Sequence, residues 1–350
     1  GFYYCVDSRK DTGIDESEWT NTASGEVAIK EKPDGVWYLH AKSKDAAGNI
    51  SGETARFCFK IDTQALPPNI SSVSHPDPDK WYNIKKAQFT IGAPDDMSGI
   101  DGYYYVFDNS EKTAPTEKDS WTDKGTIFSG DMKDGAWYLH VAAKDKAGNI
   151  GASAAHFRFN VDTQAKPPKV FSKTHPDQEV WYNNPAPEIH WDTPEDLSGI
   201  EGYYYVLDTK HNTVPTKDTG EWIKANQVTL PHLNDGIWYF HIISKDNSGN
   251  TGWEAEHYRL KIDTSVGIPK ISSLSHPDEK DWYNNPSVKI SWSVPHDLSK
   301  IKHFYYLLSG EKQMRLDRSS AEITDKRESE FTVSGAVSYT HLTLPTKRIV

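Results

Sequence analysis

The sequence predicts an all-β chain built from tandem antiparallel β-sandwiches, and three observations predict it. One stretch is written three times, as DGVWYLHAKSKDAAGN at 34–49, DGAWYLHVAAKDKAGN at 134–149 and DGIWYFHIISKDNSGN at 235–250. The period is about a hundred residues, the size of one sandwich module. His75-Pro76, His175-Pro176 and His276-Pro277 mark successive copies, and Gly1-Phe2-Tyr3-Tyr4 matches Gly102-Tyr103-Tyr104-Tyr105 and Gly202-Tyr203-Tyr204-Tyr205. The third observation is an aromatic load of 12 Trp and 18 Tyr in a chain that is only 36% hydrophobic. Large rings suit strands that lie half-buried on a sheet.

The repeated stretch reads as one strand with a turn at each end. Asp-Gly opens it, because both residues tolerate the turn conformations that start a strand sharply. Alternate residues then fall on opposite faces. Trp137, Leu139, Val141 and Ala143 form one face of the second copy, and Trp238, Phe240, Ile242 and Ser244 that of the third. These faces are assigned to the core. The opposite faces begin Tyr138, His140 and Tyr239, His241, reach Lys144 and Lys245, and are expected to be partly wet. Asp-x-x-Gly-Asn closes each copy as a turn.

Taken in order, the third repeat supplies the remaining elements. A first strand is expected near Lys169–Lys173, and His175-Pro176-Asp177 bends the chain out of it. Trp181 to Pro185 ends in turn chemistry. Glu188-Ile189-His190-Trp191-Asp192 alternates as a second strand, with Ile189 and Trp191 on one face. Ile200–Leu207 is apolar on both faces and reads as a central strand. Asp208–Lys224 reads as a long polar connection holding Trp222, Gln227–Leu230 as a short strand, and His257–Ile262 as the hairpin partner of the repeated strand. About seven short strands, with no amphipathic helix pattern, define the class.

The repeat boundaries follow at 1–70 (a repeat without its first strands), 71–169, 170–270 and 271–336 (a truncated repeat). The chain begins without Met inside a repeat, as a fragment would. In the last repeat the next Asp-Gly-x-Trp-Tyr is due near residue 336, but Val337-Ser338-Tyr339-Thr340-His341-Leu342-Thr343-Leu344-Pro345-Thr346 stands there instead. That string resembles a translated sequencing adapter, so 337–350 is set aside as an artefactual tail.

The net charge of −11 is spread along the chain. It opposes binding to nucleic-acid backbones, which needs clustered Lys and Arg. No run of 18 apolar residues occurs, so no membrane span is expected in this stretch. Cys5 and Cys58 do not recur in later repeats, where Val106 and Arg158 stand, and are read as incidental thiols.

Asp235-Gly236-Ile237-Trp238-Tyr239-Phe240, then Asp246-Asn247-Ser248-Gly249-Asn250, Ile262-Asp263-Thr264 and Pro269, resemble bacterial immunoglobulin-like repeats, which are similar in layout to fibronectin type III modules. The resemblance covers 1–336. It implies immunoglobulin-like (fibronectin type III-like) sandwiches in a linear array, on a secreted or cell-surface bacterial protein such as an adhesin. The function expected is a non-catalytic extracellular stalk or adhesion region that spaces, or weakly binds, a glycan or protein. The alternative is an accessory region of a secreted polysaccharide-active enzyme. Nothing in the sequence points to an oligomer, and no cofactor is required.

Two sites are nominated. In such a topology the loops after the second and the repeated strands share one pole, to which the preceding repeat delivers its last Asp. This groups Asp62, Asp96 and Asp145, and one junction later Asp162, Asp196 and Asp246, as candidate calcium ligands; large adhesins of the resembled family use linker Asp in this way. The same residues equally suit turn caps. The second nomination is an aromatic platform of Tyr104, Tyr138, His140, Tyr204, Tyr239 and His241 for a sugar ring or a protein partner. Cross-strand shielding of the sheet is the competing reading. The histidines at 40, 75, 140, 175, 241 and 276 are read as structural, because one His per site is no ligand set. No nucleophile elbow, phosphate loop or zinc-protease motif is present.

Overall fold

The computed structural model describes residues 1–12, 19–309, 322–325, 330–333 and 341–342. Every regular element among them is a β-strand. The chain divides into two compact units, one of Gly1–Gln164 with Asn247–Asn250, the other of Ala165–Asp246 with Thr251–Val350.

The third repeat, in the second unit, is the clearest sandwich. Lys169–Ser172, Glu188–Asp192 and Gln227–Thr229 form a three-stranded sheet in that order. Glu221–Ile223, Ile200–Asp208, Gly236–Asp246 and Glu256–Ile262 form the four-stranded sheet. All pairs are antiparallel. Trp191 and Ile189 project between the layers, as their alternation requires, and the Trp191 ring meets Tyr203 edge-on at 5.4 Å. Phe240, Ile242, Leu260 and Ile262 close the core with no exposed surface. Each large side chain sealed in this way is worth about 1.5–3 kcal/mol.

One expectation fails here. Trp222 lies on a strand, not in a polar connection: Glu221–Ile223 pairs with Tyr203–Tyr205. Three residues flanked by Gly220 and Lys224 carry too little alternation to register as a strand. Pairing with a ready-made neighbour, together with ring packing, decides the matter.

The second repeat, in the first unit, repeats this plan. Asn69–Ser72, Gln88–Gly92 and Thr126–Phe128 make the smaller sheet. Trp81–Tyr82, Ala155–Val161, Gly135–Asp145, Ile100–Asp108 and Ser120–Thr122 make the larger, in which only Trp81–Tyr82 pairs in parallel. Phe89, Leu139, Val141, Phe159 and Val161 are fully buried between them. Trp137 and Trp238 are half-buried and pack on their cores, and each indole N–H donates to a backbone carbonyl four residues earlier, Lys133 O and Asn234 O, at 2.9 Å.

The first repeat contributes one sheet, Thr20–Thr22, Phe2–Asp7, Gly35–Ser43 and Ala55–Ile61. In the last repeat Ile271–Ser273, Val288–Trp292 and Glu330–Val333 pair, and His303–Tyr306 pairs with Glu322–Asp325. Of the tail read as artefact, His341–Leu342 is a short strand against Leu308–Ser309, and the rest lies outside the described residues. Cys5 and Cys58 form no disulfide.

Candidate functional site

Three carboxylates of the first unit converge. Asp62 follows the last strand of the first repeat, Asp96 lies in the loop before Ile100–Asp108, and Asp145 ends the repeated strand; one oxygen from each lies within 4.8 Å of the others. Local chemistry places each one. Asp96 Oδ1 accepts the Ser98 N–H (3.1 Å), the Ser98 hydroxyl (3.0 Å) and the Gly99 N–H (2.8 Å). Gly99 closes that turn at φ +83°, a conformation open to glycine. Asp145 Oδ1 accepts the Asn149 N–H at 2.8 Å and Oδ2 the Asn149 amide at 2.6 Å.

The same donors reach Asp62. Asn149 Nδ2 donates to the Asp62 carbonyl at 2.9 Å, and the Ser98 N–H to Asp62 Oδ2 at 3.0 Å. The Ser98 side chain first, then the Gln64 and Ser98 backbone N–H groups, hold the Asp62 carboxyl below its usual range against the opposing effect of burial. The turns predicted as caps thus also carry the junction between the two repeats.

Three like charges so close repel, and Asp145, only 1% exposed, has little water to screen it. Among the described residues no Lys or Arg forms an ion pair with any of the three. Hard carboxylate and carbonyl oxygens, several per site, are what calcium takes. Asp62, Asp96 and Asp145 offer oxygens of that kind, close enough together to hold one such ion.

For the second trio, Asp162 is buried in the first unit and its carbonyl accepts Asn250 Nδ2 at 2.8 Å and Ser248 Oγ at 3.0 Å. Asp196 and Asp246 belong to the second unit, where Asp196 Oδ1 accepts the Ser198 N–H at 3.1 Å and Asp246 is fully buried at its strand end. The second unit also holds a pair that sequence reasoning passed over. Ser299 N–H donates to Asp263 Oδ2 and Ser299 Oγ to Asp297 Oδ1, both at 3.0 Å, as Ser98 does for Asp62 and Asp96. The repeat period carried the signal, since Asp263 and Asp297 follow Asp162 and Asp196 by the same spacing.

The aromatic nomination is corrected in part. His140 and His241 have no exposed surface and cannot belong to a platform. Each lies under a parallel tyrosine ring, Tyr138 at 6.0 Å and Tyr239 at 6.2 Å, and beside a neighbouring strand's side chain. Tyr104 and Tyr204 instead pair with indoles the sequence did not nominate, Trp121 at 4.6 Å and Trp222 at 4.7 Å. These indoles are 41% and 39% exposed, and Lys144 and Lys245 stand 5.8 Å from their ring centres. The glycine of each Gly-Tyr-Tyr-Tyr makes room for the indole. A Cβ on Gly102 would come within 2.4 Å of Trp121, and one on Gly202 within 2.6 Å of Trp222.

The described geometry defines the class. The first, second and fifth strands of the third repeat face its third, fourth, sixth and seventh, which is the layout of an immunoglobulin-like, fibronectin type III-like sandwich. No protein-family profile matches the chain, and no curated protein matches it. Among solved structures the chain is similar to the fibronectin(III)-like modules of CbhA from Clostridium thermocellum, at 12% identity over 55% of this chain and 94% of that one, with a TM-score of 0.27.

Proposed function

We propose that the chain is a non-catalytic, extracellular modular region that spaces or presents something at a distance, with calcium stiffening the junction between repeats. The observation that carries this reading is the convergence of Asp62, Asp96 and Asp145 where one repeat ends and the next begins. Bound there, the ion would supply positive charge to three carboxylates. The chain's own part is to hold those oxygens together through the Ser98, Gly99 and Asn149 bonds, so that little ordering remains for the ion to impose. A hinge becomes a strut by this route.

The test is thermal unfolding of the full chain in calcium and in chelator. Binding to the folded state alone adds about 2.7 kcal/mol at a hundred times Kd. For a unit of this size each kcal/mol raises Tm by about 2–4 °C. D96N and D145N should remove the calcium dependence, and a midpoint indifferent to calcium refutes the reading.

A second role, weak binding of a glycan or protein, is favoured by the exposed Trp121 and Trp222 indoles, set at equivalent places beside Lys144 and Lys245. Repetition would supply avidity that a single shallow surface lacks. Glycan binding lost in W121A and W222A together would support it, while binding unchanged by both would remove it. The same surface would serve an accessory region of a polysaccharide-active enzyme.

A further inference from the structure

A histidine pair recurs on the outer face of the larger sheet of each complete repeat. His140 and His156 are direct cross-strand partners, with Nδ1 atoms 2.6 Å apart. His241 and His257 repeat the contact at 2.6 Å. Behind each buried ring stands a carboxylate: His140 Nε2 lies 3.1 Å from Asp108 Oδ1, and His241 Nε2 3.2 Å from Asp208 Oδ1. The carboxylates are themselves fixed. Asp108 accepts the Thr113 hydroxyl at 2.6 Å and the Ser110 N–H at 2.8 Å, and Asp208 accepts the Thr213 hydroxyl and the Lys210 N–H at the same distances.

The tautomer follows. An ionised carboxylate only accepts, so Nε2 of His140 and of His241 carries the proton. In the neutral ring Nδ1 is then a lone pair, aimed at the Nδ1 of the second histidine. A carboxylate on the far nitrogen is how metal-ligating histidines are oriented and made more basic. The second histidine of each pair lies sixteen residues on, in the next strand, so the linear pattern shows one histidine per site.

We propose that each histidine pair, His140 with His156 and His241 with His257, chelates a divalent transition cation of the zinc and copper class through the two Nδ1 atoms, the proton that His156 or His257 donates from Nδ1 in the ion-free contact moving to its own Nε2. Imidazole nitrogens select such ions, whereas the carboxylate cluster at the repeat junction selects calcium. With metal–nitrogen bonds of about 2.0–2.1 Å and tetrahedral angles, two ligand nitrogens on zinc sit about 3.3 Å apart. The pair therefore opens by about 0.7 Å, which a turn of the more exposed His156 or His257 ring provides. His257 also lines a shallow depression of about 350 Å³ with Gln178, Glu179, Tyr239 and Arg259. The charge of Arg259 is offset there by its ion pair with Glu179.

The first repeat is the built-in control. It keeps the buried ring and its carboxylate, with His40 Nε2 3.3 Å from Asp7 Oδ1, but Arg56 occupies the partner position. Arg56 pairs with Asp11 at 3.1 Å, and His40 Nδ1 is buried with no hydrogen-bond partner among the described residues. A guanidinium has no lone pair to offer, so this repeat takes no ion.

The test is calorimetric titration of Zn2+ into the full chain in excess Ca2+, with imidazole nitrogen NMR to identify the ligands. One equivalent per complete repeat is expected, with Nδ1 shifts at all four histidines. H156R and H257R, which install the residue of the first repeat, should each remove one equivalent, and the double variant both. R56H should add one equivalent, and it decides the matter if either arginine variant fails to fold. Stoichiometry and Nδ1 shifts unchanged by H156R and H257R, or no equivalent gained by R56H, overturn the proposal and leave the pairs as cross-strand hydrogen bonds. Calcium failing to move Tm would refute the junction reading and leave this one standing.

Discussion

The first and second repeats carry the same sheet in the same register. Trp37 faces Phe59 and Leu39 faces Phe57, as Trp137 faces Phe159 and Leu139 faces Phe157. Burial separates them. Leu139 and Phe159 have no exposed surface, whereas Phe57 is 64% exposed and Leu39 and Phe59 are half-buried. The cause is the second layer. Asn69–Ser72, Gln88–Gly92 and Thr126–Phe128 cover the sheet of the second repeat, with Phe89 set edge-on to Phe157 at 5.6 Å and to Phe159 at 5.1 Å. Among the described residues no second sheet packs on that of the first repeat. Ladder formation is thus local to the hairpin sequence, while hydrophobic stabilisation belongs to the pair of layers. An uncovered apolar face and free sheet edges are where association begins.

The largest expected effect tests that difference directly. F159A empties a sealed site and should cost about 3–5 kcal/mol, read from urea unfolding of the full chain. F59A, at the matching position, should cost less than about half of that, because water already reaches the ring. Equal losses would mean that the first repeat is covered in solution. Next comes G102A. The added methyl meets Trp121 at 2.4 Å and the Thr122 carbonyl at 2.7 Å, so about 1–3 kcal/mol should be lost and the exposed indole displaced, visible in its fluorescence.

Acid sharpens the comparison at the corner histidines. His75 and His175 are buried beside Tyr82 and Tyr182, and burial pulls both below the usual value of 6.5, against weaker opposing backbone bonds from Ile84 and Asn184. The unfolded chain therefore takes the proton first. Their contribution is complete above pH 6.5, falls as pH drops through the depressed folded values, and levels off below them. Hydrogen exchange at pH 8 and pH 5 should show the cores of the second and third repeats loosening. H75N with H175N should flatten that dependence, and an unaltered dependence would rule these groups out. The smallest effect is at the sheet surface: E201Q should weaken the Lys245–Glu201 pair, bonded at 2.6 Å, by no more than about 1 kcal/mol, and less at high salt.

Much of the fold was legible because its signals are local. Alternation assigned Ile189 and Trp191 to the core, the Asp-Gly and Gly-Asn turns bounded the repeated strand, and the repeat period aligned one copy with the next. The Glu221–Ile223 strand was missed because three residues hold too few alternations to declare a period. The carboxylates of Asp62, Asp96 and Asp145 could be nominated from turn chemistry and topology, but which oxygen bonds which N–H could not. The histidines show the boundary most sharply. Their place on a strand's outer face was readable, but their burial and pairing with His156 and His257 depend on neighbouring strands.

By itself the sequence determined the all-β class, the repeat length, the residues of each strand that face inward and the turns that end them. All of these rest on interactions spanning a few residues, which a linear pattern records. Only tertiary structure decided which repeats have a covered core, which acids share a charge cluster, and that each outer-face histidine meets a second one. Those outcomes depend on registry between segments far apart in the chain, set by the sum of many small contacts and carried by no single residue.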